Sequence, residues 1–166
     1  MNASTRRLII LRHAKSDWNA GASTDHARPL NGRGRKAAPR VGQHLRELGW
    51  VPQVVHSSDA TRTRQTWERM HPELGGEPEV TFSRTLYLAG EPEIRAVVAS
   101  LAASVSTAML IGHNPGWEDA VTELSGVRVS MTTCNAALLT LTAPTWADAA
   151  KRSGWTLEQM VRPKEL

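Results

Sequence analysis

Apolar and polar positions follow two alternating periods along the chain, and their order predicts a layered α/β protein. Leu8 to Arg12 opens with four apolar residues in a row, the pattern of a strand buried on both faces. Residues 14–30 are polar and aperiodic and read as a long loop, which in a compact domain is usually functional. From Asn31 to Leu48, Ala37, Ala38, Val41, Leu45 and Leu48 form a helical stripe that Gly49 closes. Pro39 inside it is expected to kink the helix or mark its true start. Val51 to His56 reads as a second strand, after which Ser57 or Ser58 caps a helix with the face Ala60, Thr63, Trp67 and Met70. A short strand from Val80 to Ser83, a helix from about Pro92 to Ser104 and a strong strand from Thr107 to Ile111 follow. Asn114-Pro115 marks a helix start with proline at the first helical position. That helix shows Ala120, Val121 and Leu124 and ends at Gly126, and strands at Ala136–Leu141 and, on an edge, Trp155–Val161 complete the set. The alternation predicts an α/β fold, a three-layer α/β/α sandwich with a mostly parallel central sheet.

Composition narrows the class. At 166 residues the chain fits one domain, 1–166, with a sizeable core. Apolar content of 40% and charged content of 22% are those of a soluble globular protein. No apolar run approaches a membrane span. Arg6 and Arg7 precede only four strongly apolar residues, too few for a secretory signal, so a cytoplasmic location without membrane contact is expected. Cys134 stands alone, which excludes an internal disulfide, argues against a structural zinc site and fits a small buried apolar residue. The net charge of +4 gathers at Arg28, Arg33, Arg35, Lys36, Arg40 and Arg46. No nucleic-acid-binding motif accompanies that cluster, so a solvated helix face or a field for small anions is the expected reading, with no nucleic acid bound.

Open α/β sheets bind ligands beyond the carboxyl ends of their strands. Three segments deliver polar residues to that edge: Arg12-His13, "SSDATRTRQT" and "IGHNPG". Arg62, one turn into its helix, can reach back to the edge because helical side chains lean toward the N-terminus. His113 precedes a helix start whose free N–H groups favour an anion. Two histidines and two arginines in one small volume repel one another, and a phosphoryl dianion resolves that repulsion. Each arginine contact is then worth about 4 kcal/mol at an effective dielectric of 20. His13 is the candidate nucleophile, with Arg12, Arg62 and His113 stabilising the phosphoryl oxygens in transfer. Other phosphatase chemistries fit poorly. The residue six after Cys134 is Thr140, not arginine, and there is no Asp-x-Asp and no phosphate loop of the Gly-x-x-x-x-Gly-Lys type. Acidic and histidine residues do not cluster as two metals require, so neither a metal nor a cofactor is expected.

"LRHAKSDWN", Leu11 to Asn19, resembles the Arg-His-Gly signature of the histidine phosphatase superfamily, whose fold is phosphoglycerate-mutase-like. Ala14 in place of the glycine is similar to the small phosphohistidine phosphatases of the SixA type. "RPLNGRG" (Arg28 to Gly34), "SSDATRTRQT", "LYLA" (Leu86 to Ala89) and "IGHNPG" match that branch in order. The resemblance implies a phosphorylated His13 with Arg12, Arg62 and His113 as the phosphate pocket. Asn19 and Asn114 are further phosphate contacts by the same likeness, and Ser16 is a third candidate. Lys15 is either solvated or placed to recruit an acidic partner. His26, His44, His56 and His71 read as loop or surface residues.

Larger members of the superfamily carry an acid that protonates the leaving oxygen. Here Glu91 and Glu93 are the nearest candidates, although acids at a helix start are common for capping alone; Asp17 and Asp25 in the long loop are no better. A missing acid favours a phosphohistidine substrate, since imidazole leaves far more readily than an alkoxide. The expectation is a metal-independent phosphatase acting on a histidine-phosphorylated protein in signal transduction, and a monomer. A broader phosphomonoesterase for sugar phosphates or nucleotides, and a non-catalytic phosphoprotein-binding module, are the alternatives.

Overall fold

The computed structural model describes residues 3–166. Its centre is a six-stranded sheet in the order β3-β2-β4-β1-β5-β6. The strands are β1 (Ser4–Arg12), β2 (Val54–Ser58), β3 (Glu79–Ser83), β4 (Thr107–Gly112), β5 (Ala136–Ala143) and β6 (Thr156–Val161). Four of them, β3, β2, β4 and β1, run parallel, while β5 pairs antiparallel with β1 and with β6. The mostly parallel sheet expected from the sequence is therefore present, and its antiparallel part lies at one side.

Helices cover both faces. On one face α1 (Gly32–Glu47) and α2 (Thr61–Leu74) bring Ala38, Val41, Leu45, Trp67, Met70 and Leu74 against Ile9, Leu11, Met109 and Ile111. On the other, α3 (Glu91–Ala99), α4 (Gly116–Ser125) and α5 (Trp146–Lys151) pack Ile94, Trp117, Val121 and Trp146 against Leu8, Ile10, Ala108 and Leu110. Successive residues of β1 and β4 thus enter opposite cores, which explains their unbroken apolar runs. Each such buried side chain contributes roughly 1.5–3 kcal/mol.

Several local expectations change. β1 starts at Ser4 because Arg6 is buried in it, its guanidinium donating to the main-chain oxygens of Ala103, Val105 and Pro144. Pro39 neither starts nor breaks α1: Asn31 is the N-cap, its side chain accepting from Gly34 N at 2.9 Å, and the helix runs on through the proline. Neither Ser57 nor Ser58 caps α2; both lie in β2, and Ala60 occupies the cap position without a side-chain bond. Pro115 precedes α4 by one residue, in a cis peptide bond to Asn114. α3 stops at Ala99, and α5, capped by Thr145, carries too short an apolar pattern to show in the sequence. Residues 14–30 form the long loop expected, tied at its base by a bridge between Ser16 and Leu30. Among the described residues no helix is long and apolar enough to cross a membrane.

Candidate active site

The strand order places β4 between β2 and β1, so the carboxyl ends of these three strands meet at one edge. Arg12 pairs in register with Gly112 at that edge, so the next residue on each strand is a histidine. His13 N donates to Gly112 O at 3.0 Å, and the rings of His13 and His113 lie 5.3 Å apart. Gly112 is required here, because a Cβ would meet the Trp117 ring at 2.3 Å.

His13 is buried, and its Nδ1 lies 2.7 Å from the carbonyl oxygen of Ala14. A carbonyl only accepts, so Nδ1 carries the proton and Nε2 keeps its lone pair. Burial, with Arg62, Arg12 and Arg28 adding to it, holds the pKa at about 3 against a bond to Ala14 that works the other way. The ring is therefore neutral near pH 7. Ala14 itself is fully buried in the α1–α2 core, its N–H donating to Thr66 Oγ1 at 2.9 Å, so alanine serves where the family signature has glycine.

His113 is equally buried, and its Nε2 lies 2.8 Å from Ser58 Oγ. That hydroxyl also accepts from Ala60 N at 3.2 Å, which leaves its proton free to donate to the ring. The ring proton then sits on Nδ1, which has no partner. Burial, followed by the charges of His13 and Arg62, holds this pKa at about 3 as well.

Three arginines surround the pair. Arg62 lies in the first turn of α2 and is 3% exposed, with Nη1 donating to Asp25 O at 2.8 Å and Nη2 to Asp25 Oδ2 at 3.1 Å. Arg28, also buried, reaches Asp25 Oδ1 at 3.1 Å and the hydroxyl of Ser16. Arg12 donates to Met131 O at 2.9 Å. Among the described residues, five buried side-chain polar atoms lack a hydrogen-bond partner: Nε of Arg12, Arg28, Arg62 and Arg6, and Nδ1 of His113. Four of the five belong to this one cluster, which marks it as built for an anion.

The expected quartet of His13, Arg12, Arg62 and His113 is thus brought together, whereas the side chains of Ser16 and Asn114 are engaged elsewhere. Ser16 holds Arg28. Asn114 spends its amide on Met131 O and Glu118 and accepts from Glu118 N, fixing the start of α4. Asn19 is exposed and its main-chain N–H turns to Asp17 Oδ1. Neither weak acid candidate is free: Glu93 bonds Gly90 N at the start of α3, and Glu91 pairs with Arg95 at 2.7 Å. Asp25 accepts from Tyr87 Oη at 2.5 Å and from two arginines. The Tyr87 bond first, and the arginines with it, hold its carboxyl well below the ordinary range, so it stays ionised.

Sequence reasoning missed Ser58, Arg28 and Tyr87. Tyr87 stands edge-on to His113 at 5.4 Å and to His26 at 4.8 Å. His26, read as a loop or surface residue, pairs with Asp59 at 2.6 Å beside it. The signals were present in "SS" at a strand end, "RPL" and "LYLA", but none of these carries a role on its face. Cys134 behaves as expected: buried, with its pKa pushed up to about 12 by burial, it donates its N–H to His13 O.

A profile of the histidine phosphatase superfamily (branch 1) matches residues 8–86, a span that includes Arg12, His13 and Arg62. An uncharacterised chloroplastic protein of Arabidopsis thaliana is 40% identical over 171 residues, covering 96% of this chain and 78% of the relative. Among solved structures, a candidate phosphohistidine phosphatase SixA from Nakamurella multipartitia superposes with a TM-score of 0.84 at 32% identity, over 98% of this chain and 99% of that one. The protein histidine phosphatase SixA complexed with tungstate shares the fold at a TM-score of 0.82 and 21% identity, over 96% and 98% of the two chains. Motifs, strand order and relatives agree: the chain is a phosphatase belonging to the histidine phosphatase superfamily, with the phosphoglycerate-mutase-like fold of its SixA members.

Proposed function

We propose that the protein hydrolyses phosphohistidine borne on another protein, through a phosphorylated His13 and without a metal ion. The observation that carries this reading is the bond from His13 Nδ1–H to Ala14 O, which leaves Nε2 as a neutral imidazole lone pair beside a cluster of cations.

In the first step the lone pair of His13 Nε2 forms a bond to phosphorus. The P–N bond of the substrate breaks, and its electrons stay with the departing imidazole, which takes a proton from water. Arg12, Arg62 and the Nδ1–H of His113 bond the phosphoryl oxygens as charge spreads over them. In the second step water attacks phosphorus, its proton passes to the hydroxide left in solvent by the first step, the P–Nε2 electrons return to His13, and inorganic phosphate leaves. Ser16 takes part by holding Arg28, and Asn114 by fixing the start of α4.

The carboxylates support the substrate choice. Asp25 is held ionised, and Glu91 and Glu93 are tied to the start of α3, so none of these three stands free to protonate an alkoxide. General acid catalysis typically contributes 10²–10⁴-fold, and a substrate whose leaving group is imidazole has no need of it. The arginines supply the positive charge that a metal would otherwise bring and repel a divalent cation from the same place.

The test compares initial rates, in excess chelator, on a phosphohistidine peptide, p-nitrophenyl phosphate and a sugar phosphate. The expected kcat/KM is at least 100-fold higher for phosphohistidine than for the sugar phosphate, with the activated aryl ester between them. Sugar-phosphate turnover equal to that of phosphohistidine, or loss of all activity with chelator, contradicts the reading.

A further inference from the structure

A cavity of about 490 Å³ opens beside Arg12, against the first half of α1. Its lining holds six cations, Arg12, Lys15, Arg33, Lys36, Arg40 and Lys164, and no carboxylate. Among the described residues Lys15, Arg33, Lys36 and Lys164 form no ion pair.

The charge is arranged at a cost. Acids ordinarily occupy the first turn of a helix, where they offset its partial positive charge. The first turn of α1 has none, and Arg33 and Arg35 stand in it, so the helix end and the side chains add to one field. Lys15, two residues after His13, is held against this turn by Gly34, where a Cβ would fall 2.1 Å from Lys15 O. The loop that carries the nucleophile and the basic cavity are therefore joined through one close contact.

Two exposed apolar side chains flank the catalytic cluster, outside the cavity lining, and separate a polypeptide from a small anion. Trp18 is 73% exposed and lies over the guanidinium of Arg28 at 3.5 Å. Leu88 is 59% exposed at a left-handed φ of 52°, directly after the tyrosine that faces His113. A small anion has no use for exposed apolar surface around its site, whereas a docked polypeptide buries it.

We infer that the cavity binds an acidic polypeptide segment adjoining the phosphorylated histidine of the substrate protein. The inference rests on the phosphohistidine reading above and names what selects the carrier. Long-range attraction brings the acidic segment to the cavity, and its docking delivers the phosphoryl group past Arg12 to His13.

Four substrates test this: free phosphohistidine and three peptides of equal length, acidic, neutral and basic, each phosphorylated on one histidine with phosphoramidate. The wild type is expected to favour the acidic over the neutral peptide at least tenfold in kcat/KM, chiefly through KM, with the preference shrinking as salt is added. In R33E/K36E/R40E the preference disappears while free phosphohistidine is hydrolysed at the wild-type rate. A labelled, unphosphorylated acidic peptide, followed by fluorescence anisotropy, reads the cavity independently of catalysis. Binding to the wild type and loss of binding in the triple variant support the docking site even where phosphohistidine is not the substrate. Equal kcat/KM for the three peptides, no binding of the acidic peptide to the wild type, or a preference that survives the triple reversal overturns the inference. Displacement of the peptide by inorganic tripolyphosphate at tenfold lower concentration also overturns it, and assigns the cavity to a small polyanion.

Discussion

The hydroxyl of Ser58 lies 2.8 Å from Nε2 of His113, at the ends of neighbouring parallel strands. This bond fixes which nitrogen of His113 bears the proton and leaves Nδ1–H unpartnered, as a donor for a phosphoryl oxygen. Ser58→Ala removes it. The expected result is about a tenfold fall in kcat with KM little changed, the upper end for one lost hydrogen bond between neutral groups. Nitrogen-15 NMR of the imidazoles should show His113 shift from one tautomer to a mixture, a change that mere loss of packing does not produce. An unaltered tautomer with unaltered kcat contradicts the role given to Ser58.

Asp25 and Arg62 form a second telling pair, 3.1 Å apart with the main-chain oxygen of Asp25 on the same guanidinium. The carboxylate orients Arg62, and its negative charge opposes a phosphoryl dianion. Asp25→Asn keeps an acceptor and removes the charge. Inorganic phosphate is expected to inhibit this variant several-fold more tightly than the wild type, as measured by product inhibition. Weaker inhibition would mean that orientation of Arg62 outweighs the charge.

Much of this was legible in the sequence, for reasons particular residues make plain. The four-residue apolar run before Arg12 and the one before Gly112 announce central strands, and central strands put the following histidines at the binding edge. His13, His113, Arg12 and Arg62 could be found because strand ends and first helical turns are places that sequence patterns mark. Ser16, Asn19 and Asn114 were placed by motif position, which fixes where a residue lies in the chain but not what its side chain bonds. Arg28 spends its guanidinium on Ser16 and Asp25 within the aperiodic loop, and no period in the sequence points to such contacts. The strand role of Ser58 was hidden by its helix-capping residue type. Arg6 extended β1 unseen, because the carbonyls that satisfy it come from residues 103, 105 and 144.

Gly34 offers a steric test. Lys15 O would stand 2.1 Å from a Cβ at this position, and both partners are main chain, with little room to give. Gly34→Ala is expected to cost about 2–3 kcal/mol in urea unfolding, in the range of overpacking a core, and to lower kcat/KM by displacing the His13 loop. Wild-type stability with wild-type activity would show that the loop tolerates movement away from α1.

The two histidines also set a pH dependence. Unfolded, each binds a proton below about pH 6.5. Folded, each stays neutral down to about 3, so the folded state binds fewer protons in that window. Stability is therefore greatest above pH 6.5 and falls as the pH is lowered toward 3, by about 1.4 kcal/mol per pH unit for each histidine. The Asp25 carboxyl is shifted in the same direction, downward, and its stabilisation is lost as the pH falls through the unfolded carboxylate value of 3.8, adding to the histidine loss only at the acid end of this window. Between pH 7 and pH 5, His13→Asn should lose about 2 kcal/mol less stability than the wild type in urea titrations. Equal losses would mean that His13 is not held neutral by the fold.

The most direct measurement is to mix the enzyme with phosphoramidate or a phosphohistidine peptide, quench in base and locate the phosphate. Phosphorus NMR distinguishes the two imidazole nitrogens, and fragmentation mass spectrometry of the base-quenched digest names the residue. The expected product is acid-labile phosphate on Nε2 of His13, absent in His13→Ala along with turnover. Phosphate on Nδ1, phosphate on another residue, or full turnover in His13→Ala would contradict a nucleophile held by the bond from Nδ1 to Ala14.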